Sequence, residues 1–212
     1  MNVFDLEKFL NSENQLEENE IHKYSVAPML DVSNRYFRVF VRLLSKKATL
    51  YTEMIHCKTL LFNKDLDKVL GFDKIEKPLV FQIGGSEPEM LAKAAIIVEK
   101  YGYDEINLNC GCPSPKVTKN NFGASLMKEP ELVAQCLLAM KKAVNIPVSV
   151  KCRLGVDDYD DEEFLINFID LVHKKSGIEH FIIHARKAFL KGLNPKQNRN
   201  VPPLIYERVL KM

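Results

Sequence analysis

Residues 78–110 read PLVFQIGGSEPEMLAKAAIIVEKYGYDEINLNC, and this stretch decides the fold. Two short runs rich in aliphatic and aromatic residues, 78–83 and 105–110, have the length and composition of buried strands. Between them, residues 88–101 repeat their apolar side chains at helical spacing. Pro88 stands near the helix start, where a missing N–H costs nothing. Strand, helix and strand in sequence predict a βαβ unit, two parallel strands joined by a helical crossover.

The same unit recurs on both sides. Further strands are predicted at 24–30 (YSVAPML), 49–55 (TLYTEMI), 147–152 (PVSVKC) and 180–185 (HFIIHA), and further helices at 33–45, 130–144 and 161–175. Ser33 is the expected N-cap of the first helix, and Pro130 sits near the start of another. Six βα units in about 190 residues fit a (β/α)8 barrel read in order, since such barrels run to ~250 residues. A doubly wound sheet would carry a Gly-rich phosphate turn after its first strand, and none follows 24–30. The expected class is therefore α/β of TIM-barrel type, with about six of eight units, over a domain at 24–212. Residues 1–23 form a short helical or disordered extension in this reading.

Composition narrows the class. With 46% hydrophobic and 27% charged residues among 212, the chain has the content of a globular domain. No stretch approaches the ~20 apolar residues of a spanning helix. The net charge of +2 does not by itself imply nucleic-acid binding, but it is unevenly spread. Residues 1–23 hold six acids and two bases, whereas 184–212 hold seven Lys or Arg against Glu207 alone. A basic surface on a late loop is one reading and a solvated Lys-rich face is the other. Five cysteines without paired CxxC spacing fit free thiols in a reducing compartment, and the acidic start lacks the pattern of a secretory or transit peptide. The expected location is cytoplasmic.

The unusual residues fall at the C-terminal ends of the predicted strands, the face on which barrels of this type place their chemistry. Asn109-Cys110-Gly111-Cys112-Pro113-Ser114 runs from a strand into a Gly/Pro turn that would leave a thiol at the rim, able to act as acid or nucleophile. Cys110 and Cys112 could also pair as a disulfide or metal site, but no further Cys or His is spaced to complete a shell, so no metal is expected. Lys151 and Arg153 alternate on one strand and share a face. Two cations there suit an anion or an electron-rich ring, or else pair with the acids at 157–163. That acidic run is read as the stabilised N-terminus of a helix. His184, followed by Ala185-Arg186-Lys187, brings a ring and two cations to the same rim.

These residues match a known family. SVAPMLD at 25–31, YTEM at 51–54, FQIGGSEP at 81–88, YDEINLN at 103–109 with GCPS at 111–114, FGASLM at 122–127, VKCRLG at 150–155 and IIHARKAFLKGLNPKQNR at 182–199 strongly resemble the tRNA-dihydrouridine synthases, most closely their bacterial-type subfamily A. The resemblance implies FMN over the barrel mouth, reduced by NADPH, with hydride delivered to C6 of a D-loop uridine at position 20 or 20a while a cysteine protonates C5. By matching position Cys112 is that proton donor. Pro28, Met29, Leu30, Gln82, Lys151 and His184 look like the FMN-binding residues, and Asn109 is similar to the residue that helps hold the uracil edge. Arg153, Arg186 and Lys187 are implied as flavin or RNA contacts. Asn194, Gln197 and Arg199 belong to the basic loop that would meet the D-arm of tRNA.

Two departures qualify the resemblance. Cys110 stands where the family has an aliphatic or aromatic residue, which implies altered packing beneath the flavin. The phosphate-gripping turns of the family's later strands, and its C-terminal helical domain, have no counterpart up to Met212. A chain open at both sheet edges is expected to fold poorly and act weakly alone, whereas the full-length form would be a monomer. Two rivals remain at this stage: an FMN barrel of the dihydroorotate dehydrogenase type, and a non-catalytic tRNA-binding fragment.

Overall fold

The computed structural model describes residues 23–212, so nearly all of the expected N-terminal extension lies outside the described residues. The predicted units assemble into one curled, wholly parallel sheet. Its strands are β1 (Ser25–Val26), β2 (Thr49–Tyr51), β3 (Ile55–His56), β4 (Leu79–Gly84), β5 (Glu105–Asn109), β6 (Val148–Arg153) and β7 (Phe181–His184). They lie in the order β1-β2-β4-β5-β6-β7, with β3 alongside β4. The long helices are α1 (Arg35–Leu44), α2 (Pro88–Tyr101), α3 (Pro130–Ala143) and α4 (Glu162–Ser176). Spatial order that follows chain order, with every pair parallel, is the topology of a (β/α)8 barrel in its first six units; a doubly wound sheet reverses direction at a switch point.

Pro88 and Pro130 each occupy the first turn of their helix, as predicted. Asp161 caps α4 by accepting from the Phe164 amide at 2.6 Å, and Glu162 and Glu163 fill its first turn. The acidic run thus serves a helix N-terminus. Gly102 and Gly177 end α2 and α4 in the left-handed region, at φ 89° and 67°.

Three expectations are corrected. The first strand is two residues long, and the chain leaves it for a turn in which Ser33 Oγ accepts from Met29 N at 2.9 Å and donates to Met29 O at 3.0 Å. Ser33 therefore closes that turn, and the N-cap of α1 is Asn34, whose carbonyl accepts from the Tyr36 and Phe37 amides at 3.1 Å. The predicted strand 49–55 is broken. Leu50 and Tyr51 pair with Leu79 and Val80, but Ile55 and His56 pair with Ile83 and Gly84. Residues 52–54 thus face only Phe81 and Gln82, one residue too many, which is a bulge.

Alternation along the strands sorts the chemistry. Leu79, Phe81, Ile83, Ile106, Leu108, Cys110, Val150 and Cys152 are fully buried in one core with Leu91 and Val98 of α2, Val133 and Leu137 of α3, and Leu165 and Phe168 of α4. Each such side chain contributes ~1.5–3 kcal/mol of burial. The opposite parity faces the lumen, and register turns it into polar layers. Gln82, Asn107 and Ser149 are successive cross-strand partners; nearer the rim come Asn109 with Lys151, then Arg153 with His184. Among the described residues no helix is long and apolar enough to cross a membrane.

Candidate active site

The lumen layers are joined by hydrogen bonds running in one direction. Asn109 Oδ1 accepts from the Gly111 and Cys112 amides at 3.1 and 2.9 Å, which leaves its Nδ2 to donate to Gln82 Oε1 at 2.8 Å. Gln82 Nε2 then donates to Asn107 Oδ1 at 2.8 Å, and Asn107 Nδ2 to Ser149 Oγ at 2.8 Å. The Ser149 hydroxyl donates to the buried Glu105 carboxylate. Fixed backbone donors at one end and a carboxylate at the other determine how every amide points. Among the described residues Asn109 and Gln82 each keep one N–H uncommitted. Gln82 N also donates to Thr52 Oγ1 at 3.0 Å, so the bulge helps seat this strand.

Cys112 lies in the turn that Asn109 pins. Its thiol is half-buried, and burial raises its pKa, opposed by the Ser114 amide, Arg153 and Arg199. The turn is locked from behind, where Ala124 N donates to Cys112 O at 2.9 Å and Gly123 adopts φ 73°. A Cβ on Gly123 would lie 2.5 Å from that carbonyl. Cys110 is placed otherwise than expected. The strand ends at Asn109, and Cys110 turns outward into the helix-facing core near Cys136 and Cys152, where burial pushes its thiol well up. All five cysteines are free.

Lys151 and His184 come together at the rim, in adjacent layers on β6 and β7. Burial brings the Lys151 ammonium down to about 8, and burial with nearby Arg153, Lys151, Arg186 and Arg199 brings His184 down to about 3, so the ring is neutral. Neither side chain has a hydrogen-bond partner among the described residues. The acids at 157–163 do not pair with Lys151 or Arg153. Asp157 meets Lys128 at 3.0 Å, and Asp160 meets Lys187 at 2.9 Å. Among the described residues no three His, Cys, Asp or Glu converge as a metal site.

The remaining predicted residues divide. Pro28 and Met29 are partly covered in the turn after β1, and Leu30 is exposed. Arg186 donates to the Pro202 carbonyl. Asn194 and Gln197 cap each other, with Asn194 N to Gln197 Oε1 at 2.9 Å and Gln197 N to Asn194 Oδ1 at 2.8 Å. Arg199, in the short helical turn this box opens, is exposed with no side-chain partner among the described residues. Sequence reasoning missed Thr52, Glu105, Asn107, Ser149 and Asn198. The period-2 run Glu105, Asn107, Asn109 was the signal for the lumen relay.

The family model of dihydrouridine synthase (Dus) matches residues 25–212. The chain belongs to the dihydrouridine synthase family. It is 50% identical over 190 residues to the tRNA-dihydrouridine(20/20a) synthase of Xylella fastidiosa (strain 9a5c), covering 90% of this chain and 56% of that one. It is 54% identical over 185 residues to the protein of that name from Xanthomonas campestris pv. campestris, covering 87% and 55%. The protein of that name from Synechocystis sp. (strain PCC 6803) is 50% identical over 195 residues, covering 92% and 58%. The chain thus spans about half the length of the curated relatives it matches. A truncated 3-deoxy-D-arabino-heptulosonate 7-phosphate synthase from Thermotoga maritima aligns at TM-score 0.46 and 16% identity, over 89% of this chain and 58% of that one.

Proposed function

We propose that this chain carries the reacting centre of a flavin-dependent tRNA-dihydrouridine synthase, which reduces the C5=C6 bond of a D-loop uridine at position 20 or 20a with NADPH, in the cytoplasm. The observation that carries the reading is the half-buried Cys112 thiol, pinned by Asn109 at a rim where Lys151 and His184 have no partner among the described residues. Among the described residues no carboxylate is bonded to Lys151, Arg153, His184, Arg186 or Arg199. That donor set suits an electron-rich, partly anionic ring such as the isoalloxazine of FMN, and it disfavours a cation.

In this reading Lys151, His184, Gln82 and the 28–30 turn hold FMN, which when bound supplies hydride to C6 of the uracil. Negative charge then builds across C5 and O4, where an acid and fixed donors lower the barrier. The raised pKa keeps Cys112 protonated through neutral pH, ready to donate to C5. The second N–H of Asn109, without a partner among the described residues, can hold a uracil carbonyl. Arg199 and its loop supply positive charge for the phosphates while the target base leaves its stack.

The test is direct. The purified chain is denatured and its flavin content read by absorbance and fluorescence, free FMN is titrated back, and dihydrouridine is then measured in a tRNA transcript with NADPH. FMN uptake followed by dihydrouridine at 20 or 20a, at the weak rate expected of a sheet open at both edges, is the expected result. Uptake of FMN with turnover of a free pyrimidine, and none of tRNA, would sink this reading.

A further inference from the structure

Arg153 was expected among the flavin or RNA contacts, yet it is buried to 4% exposure and its bonds go to the protein's own backbone. Its Nε donates to Gly111 O at 2.9 Å, and its Nη1 to Asn198 O at 2.9 Å and Lys187 O at 3.2 Å. Three segments meet on one guanidinium: the thiol turn, the turn after β7 and the 194–200 loop. Every acceptor is a carbonyl, so the arginine acts here through its fixed fork of donors, which a lysine cannot reproduce.

The loop side of this junction is itself rigid. Asn198 is fully buried, accepts from Phe189 N at 2.8 Å, and donates through Nδ2 to the carbonyls of Phe189, Leu193 and Asn194 at 3.0, 3.2 and 3.3 Å. A displacement of the loop therefore moves the Asn198 carbonyl, and the guanidinium hands it to Gly111, next in chain to Cys112.

We infer that Arg153 is a positioning residue that couples the 194–200 loop to the Cys112 turn, so that the loop's seating sets the placement of the thiol. If the proposed function holds, the surface that meets tRNA and the group that delivers the proton are thereby linked.

The experiment reads the thiol itself and needs neither flavin nor tRNA, so its failure is separable from failure of the proposed function. Iodoacetamide labelling of Cys112 in the full chain is followed by peptide mass spectrometry for wild type, Asn198→Ala, Arg153→Lys and the double variant. The buried Cys57, Cys110, Cys136 and Cys152 report unfolding in the same digest. Asn198→Ala should change the Cys112 rate at least about threefold, and that effect should vanish when Arg153→Lys is already present, the non-additivity expected of groups sharing one network. Equal effects in both backgrounds, or none in the wild type, would overturn the inference. If Asn198→Ala exposes the buried thiols, Asn198→Asp, which keeps the acceptor for Phe189 N, replaces it under the same criterion. In an active enzyme Arg153→Lys should lower kcat with little change in KM, whereas a raised KM at unchanged kcat would mark a direct substrate contact and refute the positioning role.

Discussion

Cys112 draws its chemistry from what surrounds it. Its turn is held in part by the side-chain amide of Asn109, and that amide is oriented by a relay ending at Glu105. If Cys112 is the proton donor, Cys112→Ala should retain FMN binding while dihydrouridine formation falls ~10²–10⁴-fold, the usual worth of a positioned acid. Spectroscopic flavin content and nucleoside analysis of product tRNA check the two halves separately. His184 makes a pH prediction that needs no ligand. Its pKa falls from 6.5 unfolded to about 3 folded, so between those values the unfolded chain binds more protons. Its contribution to stability is present above pH 6.5 and is lost as pH falls toward 3. His184→Gln should flatten that part of the acid limb in denaturant titrations, and an unchanged limb would refute the shift. The rim positions of Cys112, Lys151 and His184 were legible in sequence because unusual residues ended apolar strands. Asn198 was not, because a loop asparagine bonded to nearby backbone groups leaves no periodic trace.

At the level of elements, strand existence and order were legible in residues 78–110 and their repeats, but edges and breaks were not. The bulge at residues 52–54 follows from a register shift between β2 and β3 against β4, and pairing of that kind is not written in either strand alone. Helix α1 shows a sharper contrast. Its buried residues are Arg38 and Arg42, while Tyr36, Phe40 and Leu44 are exposed. Arg38 meets the buried Glu76 at 2.6 Å, and Arg42 donates to the Glu76 and Pro78 carbonyls at 2.8 and 3.3 Å. A rule that turns apolar residues inward assigns this helix the wrong face. Arg38→Met, which leaves Glu76 a buried carboxylate without its cation, should cost ~3–5 kcal/mol of unfolding free energy in urea. Phe40→Ser, at an exposed position, should cost within about 0.5 kcal/mol if nothing covers it. The thiol turn has its own test. Gly123→Ala forces a Cβ against Cys112 O at a left-handed φ, and should cost ~1–3 kcal/mol while altering Cys112 labelling more than that of the buried cysteines.

Across the whole molecule, the core and the chemistry occupy opposite faces of one sheet, and that division decides how stability should be distributed. Strands β4, β5 and β6 are paired on both sides and backed by α2, α3 and α4, whereas β1 and β7 are paired on one side only among the described residues. Opening that exposes few buried contacts costs least, so amides of β1 and β7 should exchange with deuterium sooner than those of β4 to β6. FMN, if it binds as proposed, should act unevenly on this background. Ligand at 100 times Kd adds ~2.7 kcal/mol to global unfolding, which slows every amide that exchanges only through full unfolding. Contacts at the rim would in addition slow local opening at residues 82–84, 109–113, 151–153 and 184–187, where exchange is otherwise sub-global. Peptide-resolved exchange with and without FMN should therefore show the largest gain at those four segments, with the far ends of β4 to β6 following only the global shift. A uniform gain along the chain would mean that the ligand sits elsewhere, and that Lys151 and His184 serve some other group.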